Sequence, residues 1–253
     1  MLLRELDRYF RSLLRIDDMV KIDASLNGIQ AGRPEQKIGR IAFAVDACMD
    51  CFRLATAWGA ELLFVHHGLF WGKDLRVTGS HRARLKHLLD NDLALYAAHL
   101  PLDMHPEIGN NAGIACALGL VETVPFGTYK GVDIGIKGRF PRPVRLAEVE
   151  TLLFGGAPDG SPGLAFGKEF VETAGIVSGG APYEAFQAVE QGLDMYITGE
   201  GSHAVYHFDQ AAELNGIFGG HYRTETRGVR LLAERTARET GLETRFIDVP
   251  TGL

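Results

Sequence analysis

Glu61-Leu62-Leu63-Phe64-Val65-His66-His67-Gly68 is a short apolar run that stops at two histidines and a glycine. An apolar stretch of this length, without period-two alternation, reads as a strand covered on both faces by helices in a parallel sheet. Ile41 to Val45, ending at Asp46, has the same character. So does Leu93 to Ala98, which ends at His99-Leu100-Pro101-Leu102-Asp103. Helical spacing is read at residues 49–59, 80–90 and about 110–118. The β-α-β-α-β-α order implies a mostly parallel sheet. Upstream, Leu3, Leu6, Phe10 and Leu13-Leu14 make one apolar helical stripe, and Asn27 to Gly32 reads as a loop.

The last third repeats this pattern. Ala174–Val177 leads to Ser178-Gly179-Gly180, Asp194–Thr198 to Gly199-Glu200, and Gly216–Phe218 to Gly219-Gly220-His221. Helices are expected at 183–191, 202–214 and 226–240, with a last strand at 243–249. Between the two series, residues 123–140 carry Pro125 and several glycines among β-formers, 142–154 reads as a helix, and 153–167 as a loop. The expected fold is therefore α/β, with two similar halves and mixed, largely parallel sheets. The halves are 1–125, carrying His66, His67 and Asp103, and 126–253, carrying His221 and Glu225. The third strands end alike: Asp103 follows His99 by four residues, and Glu225 follows His221 by four. That match suggests an internal duplication.

The bulk composition sets limits. The 253 residues are 46% hydrophobic, ample for a sizeable core. A net charge of -6 and a pI near 5.8 argue against a general nucleic-acid binder. No apolar run reaches the roughly 18 residues of a membrane helix. The opening residues mix charges, unlike a secretory signal. Three cysteines form no disulfide framework. A cytoplasmic protein is expected.

Ligands gather outside the carboxyl ends of parallel strands. His66, His67, His99, Asp103, His221 and Glu225 all fall at such ends. Imidazole and carboxylate without thiolate suit zinc, iron, manganese or nickel. Adjacent histidines inside a regular strand face opposite ways, so His66 and His67 need a bend to share a cavity. Gly68 is expected to supply it. A carboxylate in such a set can bridge two ions.

Other features carry weaker readings. Cys48-Met49-Asp50-Cys51 is a C-x-x-C that reads either as a redox dithiol or as two cysteines on a buried helix face. His81, His87, His105, His203 and His207 read as surface or core histidines, with His203 the one best placed to line a pocket. Ser178-Gly179-Gly180 reads as a plain turn or as a phosphate cradle. Arg223 and Arg227 read as solvated charge or as partners of an anionic substrate.

At these residues the chain resembles the Nif-three-like dinuclear metal-centre family, often labelled GTP cyclohydrolase I type two homologues. The carriers are Asn27-Gly28-Ile29-Gln30, Val45-Asp46-Ala47, His66 to Trp71, His99 to Asp103, Asn110-Asn111, Ser178 to Gly180, Thr198 to Glu200 and Gly220 to Glu225. They span nearly the whole chain in the short form, with no long insertion between the halves. The resemblance implies two divalent ions per chain held by His66, His67, Asp103, His221 and Glu225, with Glu225 bridging. It implies His99 beside them as an acid/base residue or as one that supports the ligands, and a toroidal homohexamer. Ser202-His203-Ala204 departs from relatives that carry a second histidine there. The expected activity is metal-dependent hydrolysis of a small phosphorylated or nucleotide-like substrate. The alternative is a non-enzymatic metal-handling scaffold that acts through partners. Ring opening of GTP is a narrower option, with no guanine-reading motif in support.

Overall fold

The computed structural model describes residues 1–155 and 163–253. Of the loop expected over 153–167, residues 156–162 lie outside the described residues. The chain forms two compact units. One comprises Met1–Leu102 and Val229–Val249; the other comprises Asp103–Gly228 and Pro250–Leu253.

The first unit opens with α1 (Leu3–Leu14), which buries Leu3, Leu6, Phe10 and Leu14 on one stripe. The Glu5 carboxylate accepts the backbone N–H of Leu2 and satisfies a donor at the helix start. β1 (Gly28–Ala31), β2 (Arg40–Asp46), α2 (Met49–Trp58), β3 (Leu62–His67), α3 (Gly79–Asp90) and β4 (Ala94–Ala97) follow. The sheet order is β1-β4-β3-β2, with a fifth strand from the end of the chain, Glu243–Phe246, outside β2. β2, β3 and β4 run parallel, and β1 lies antiparallel to β4. Residues 28–31, expected in a loop, are thus an edge strand, with an irregular register between Ile29 and Ala31. Phe43, Phe64 and Tyr96 are fully buried, together with Phe10. Burying each such ring is worth about 1.5–3 kcal/mol. The parallel register sets Asp46 opposite His67, so the polar ends of two strands meet.

The chain then forms α4 (Leu100–Asp103) and α5 (Asn110–Ala117). The second unit's sheet is built from β5 (Val121–Tyr129), β6 (Val132–Arg145), β7 (Phe170–Val177), β8 (Met195–Thr198) and β9 (Asn215–Phe218), in that order. α6 (Leu146–Phe154), α7 (Ala185–Glu190) and α8 (His203–Ala211) lie between strands in sequence. β7, β8 and β9 are parallel, whereas β5 and β6 form an antiparallel hairpin joined to β7. The change of unit read at 125/126 falls inside β5. Pro125 looked like a break, yet β5 is an edge strand, where a missing N–H costs no ladder bond. The helix read at 142–154 begins only at Leu146, because Arg142–Arg145 continue β6.

α9 (His221–Thr240) contributes His221–Gly228 to the second unit and the remainder to the first. β10 (Glu243–Phe246) then pairs parallel with β2. Both sheets are five-stranded and mixed, so the architecture is two similar α/β halves. Among the described residues, no helix is long and apolar enough to cross a membrane.

Candidate metal-binding groups

In the first unit, His66 and His67 close β3, and His99 follows β4. One nitrogen from each imidazole lies within 4.8 Å of the others, close enough to hold a metal ion. The ring centroids are 4.6 Å apart for His66–His67 and 5.0 Å for His66–His99. The strand end does bring the two neighbouring rings together. Gly68 contributes otherwise than expected, because its φ is not in the left-handed region. A Cβ there would lie 2.3 Å from the Gln30 amide nitrogen. That amide accepts from Leu69 N at 2.7 Å and donates to the Leu26 carbonyl at 2.8 Å. Glycine leaves room for this clamp on the loop after the histidines.

Each of the three rings is oriented through Nδ1. His66 Nδ1 is 3.1 Å from the Ala98 carbonyl, His67 Nδ1 is 2.8 Å from Asp46 Oδ1, and His99 Nδ1 is 3.0 Å from Asp23 Oδ1. A carbonyl or carboxylate only accepts, so the proton sits on Nδ1 and the Nε2 lone pair is presented. Carboxylate or carbonyl partners of this kind orient metal-ligating histidines. Asp23 is buried, which alone would raise its pKa. The hydrogen bond and charge of His99, the Asn27 amide and the Ser25 N–H together hold it below the usual carboxylate value. The Trp71 ring stands edge-on to His99 at 4.9 Å, anchored by its indole N–H on the Gly68 carbonyl. A cleft of about 510 Å³ opens in the same unit, lined by Arg11, Leu26, Asn27, Phe70 and Lys73 among others.

In the second unit, Asp103, His221 and Glu225 gather around one turn, Ser178–Gly179. Ser178 Oγ and the Asn110 side-chain amide both donate to Asp103 Oδ1 at 2.9 Å. Asn111 accepts from Ser178 N at 2.7 Å and donates to the Asp103 carbonyl. Gly179 N donates to Thr224 Oγ1 at 3.0 Å, beside Glu225. Gly179 has φ +69, and a Cβ there would meet Glu225 Oε1 at 2.2 Å. The turn read as a plain turn or phosphate cradle is therefore a mould for two carboxylates.

His221 and Glu225 were expected at a strand end, before a helix beginning at 226. They lie instead on the first turns of α9, one turn apart, because the helix starts at His221 straight after Gly220 at φ +88. His221 Nε2 is 3.2 Å from Glu225 Oε1, and its Nδ1 is 2.5 Å from Glu200 Oε1. The bond to Glu225, its charge and Glu200 outweigh burial and raise the His221 pKa to about 9. Glu225 is 2% exposed.

Arg223 and Arg227 are neither simply solvated nor directed at a ligand, and the other histidines fall on the surface or in the core. Arg227 donates to the Leu153 carbonyl at 3.0 Å, and Arg223 stacks over the Phe154 ring at 4.6 Å. His203 and His207 are exposed on α8. His81 is buried edge-on against Phe70, His87 meets Thr56 Oγ1, and His105 Nδ1 accepts two backbone N–H groups. Asp46, Glu200, Asn110 and Asn111 stood in the quoted sequence blocks without a role. Asp23 stood in none; a carboxylate 76 residues from its histidine leaves no local signal.

These histidine and carboxylate groups fit a divalent metal: the donors are nitrogen and oxygen, and each imidazole is held by an acceptor at Nδ1. A protein of Treponema pallidum named "GTP cyclohydrolase 1 type 2 homolog" is 39% identical, covering 99% of both chains. One of the same name from Halobacterium salinarum is 42% identical over 96% of both. The crystal structure of TTHA1606 from Thermus thermophilus superposes with a TM-score of 0.88 at 40% identity, covering 100% of both chains. The model of one family, Duf34/NIF3 (NGG1p interacting factor 3), matches residues 1–252, and the chain belongs to that family.

Proposed function

We propose that this protein is a metal-dependent hydrolase of a small phosphorylated or nucleotide-like substrate. In this reading His66, His67, Asp103, His221 and Glu225 hold two divalent ions, with Glu225 bridging, in a cytoplasmic homohexamer. The observation that carries it is the shared orientation of four histidines. Each engages an oxygen acceptor at Nδ1, and in His221 the Nε2 atom meets Glu225 Oε1 at 3.2 Å. Paired divalent ions supply Lewis acidity and lower the pKa of water. His99 holds its Nδ1 proton on Asp23, which leaves Nε2 as the atom to accept or deliver a proton in the reaction. Trp71 and the Gln30 clamp limit how the His67–His99 face moves. The adjacent cleft offers Phe70 and Leu26 as apolar walls and Lys73 as a cation, and its volume is that of a small-molecule site. The name borne by the relatives puts GTP on the substrate panel.

The test is elemental analysis of untagged protein, followed by turnover assays with nucleotides, phosphoesters and cyclic amides. Two ions per chain are expected, with turnover lost in His67→Ala and Glu225→Ala. His99→Asn is expected to retain both ions and lose about 10²–10⁴-fold in turnover. Fewer than one ion per chain after reconstitution, or turnover that survives loss of the ligands, would sink the reading. Two ions without turnover on any substrate would favour the metal-handling scaffold.

A further inference from the structure

Asp46 ends β2, and Cys48 follows as the N-cap of α2, with Cys51 one turn inside the helix. The two thiols differ sharply in surroundings. Cys48 is half-buried at the helix mouth, and its sulfur accepts the Cys51 N–H at 3.5 Å. Cys51 is 1% exposed and packs among Phe52, Ala55 and Val65. Two cysteines that merely filled a core would both be covered. Here one meets solvent at the end of a helix where backbone N–H groups converge, and the other sits directly beneath it.

We propose that Cys48 and Cys51 form a reversible dithiol–disulfide pair, in which Cys48 is the attacking sulfur, Cys51 the resolving one, and a low-molecular-weight disulfide the oxidant. The spacing permits the bond. Residues three apart on a helix place their Cβ atoms about 5–6 Å apart, and an N-cap outside the helical conformation can close that to the about 3.5–4.5 Å of a disulfide. Hydrogen bonds from the Cys51 side chain and from the Cys51 and Asp50 N–H groups lower the Cys48 pKa to about 6, against burial and the Asp46 charge. The bond to Cys48 and burial push Cys51 well above its ordinary value. That division is the one an attacking and a resolving thiol require.

The exchange balances in two steps. The Cys48 thiolate attacks one sulfur of the small disulfide; that S–S bond breaks, one small thiolate leaves and takes up a proton, and a mixed disulfide remains on Cys48. Cys51 then gives up its proton and attacks Cys48 Sγ. The mixed disulfide breaks, the Cys48–Cys51 bond forms, and the second small thiolate leaves. Two protein thiols are oxidised by two electrons, and one small disulfide is reduced to two thiols. The inference does not depend on the metal reading.

The experiment uses the full chain, treated with chelator and desalted, in mixtures of oxidised and reduced glutathione, with alkylation and peptide mass analysis. The expected result is loss of two hydrogens confined to the peptide carrying Cys48 and Cys51, restored by dithiothreitol, while Cys116 stays alkylatable. In the reduced protein, alkylation of Cys48 should reach half its maximum near pH 6. At pH 6 it should run about tenfold faster than a simple thiol of ordinary pKa, since the greater thiolate fraction outweighs its lower nucleophilicity. Cys51→Ala, which keeps the buried position apolar, should stop at the mixed disulfide on Cys48. Cys48→Ser should leave Cys51 unmodified. An internal disulfide absent at every glutathione ratio, or a Cys48 profile centred near the about 8.5 of an ordinary thiol, would overturn the proposal.

Discussion

His67 Nδ1 lies 2.8 Å from Asp46 Oδ1, and the parallel register of β2 and β3 places the two residues side by side. The main chain locks the same pair, since Ala47 N donates to the His67 carbonyl at 2.8 Å. One strand end therefore carries the imidazole and the next carries the carboxylate that aims it.

Asp46→Asn should keep the fold and loosen the aim. The asparagine side chain can still meet Nδ1 but no longer supplies charge to make the ring a better donor. Metal affinity is expected to fall about 10–100-fold, as measured by competition against a chromophoric chelator. Asp46→Ala should cost at least as much. Unchanged affinity in both would show that the carboxylate does not tune the histidine.

Metal binding should release a proton from His221. Without metal, its pKa of about 9 keeps the ring protonated at pH 7.5, held between Glu225 and Glu200. A nitrogen ligand must be deprotonated. Calorimetry at pH 7.5 in buffers of different ionisation enthalpy should find about one proton released per His221 engaged, and Glu225→Gln should diminish it. The metal-free protein follows the same linkage. The folded pKa exceeds the ordinary 6.5, so this group's stabilisation is complete below about pH 6.5 and is lost as pH rises through about 9. Proton release that stays constant across pH 7–10 would contradict this assignment.

The strand runs and their polar ends were legible because burial on both faces writes a continuous apolar signal, and the histidines interrupt it. What could not be read was pairing. Glu243–Phe246 is recognisable as a strand, yet nothing local says that it joins β2 across roughly two hundred residues to complete the first sheet. The residues that orient the histidines were silent for the same reason. Asp23 reaches His99 from a polar loop without periodicity, and Glu200 reaches His221 from another. Gly219-Gly220-His221 read as the end of a strand with a helix only from 226, whereas a single left-handed glycine suffices to start α9 at His221.

Gly179→Ala tests the mould around the carboxylates. At φ +69 an alanine is strained by about 1–3 kcal/mol, and its methyl would press on Glu225 Oε1. Denaturant unfolding should show that loss, and the Glu225 side chain must move to relieve it. Metal affinity should fall with stability, unlike the outcome for a strained glycine remote from the site. Gly155→Ala is that control: its φ is +77 and its Cβ would meet nothing within 4 Å among the described residues, so stability should fall while metal affinity holds. Equal metal affinity in the two variants would show that Gly179 is needed for the turn alone.

Asp209 on α8 offers a stabilising change outside the proposed ligand set. It lies on the buried face of α8 at 2% exposure, and its Oδ1 finds no hydrogen-bond partner among the described residues. Burial raises its pKa from the ordinary 3.8 to about 6. The sign follows from linkage. Below about pH 4 the carboxyl is protonated in both states and contributes nothing. As pH climbs to about 6 the unfolded chain releases its proton while the folded chain retains it, so folding loses stability; above that the penalty is constant. Allowing for solvent screening, the penalty at neutral pH is on the order of 1–2 kcal/mol. Asp209→Asn removes the charge and keeps the shape. It should therefore be more stable than the parent at pH 7.5, with the advantage shrinking as pH falls toward 4.5. Denaturant melts at the two pH values measure the difference directly, and an advantage independent of pH would mean that the gain comes from somewhere other than the buried charge.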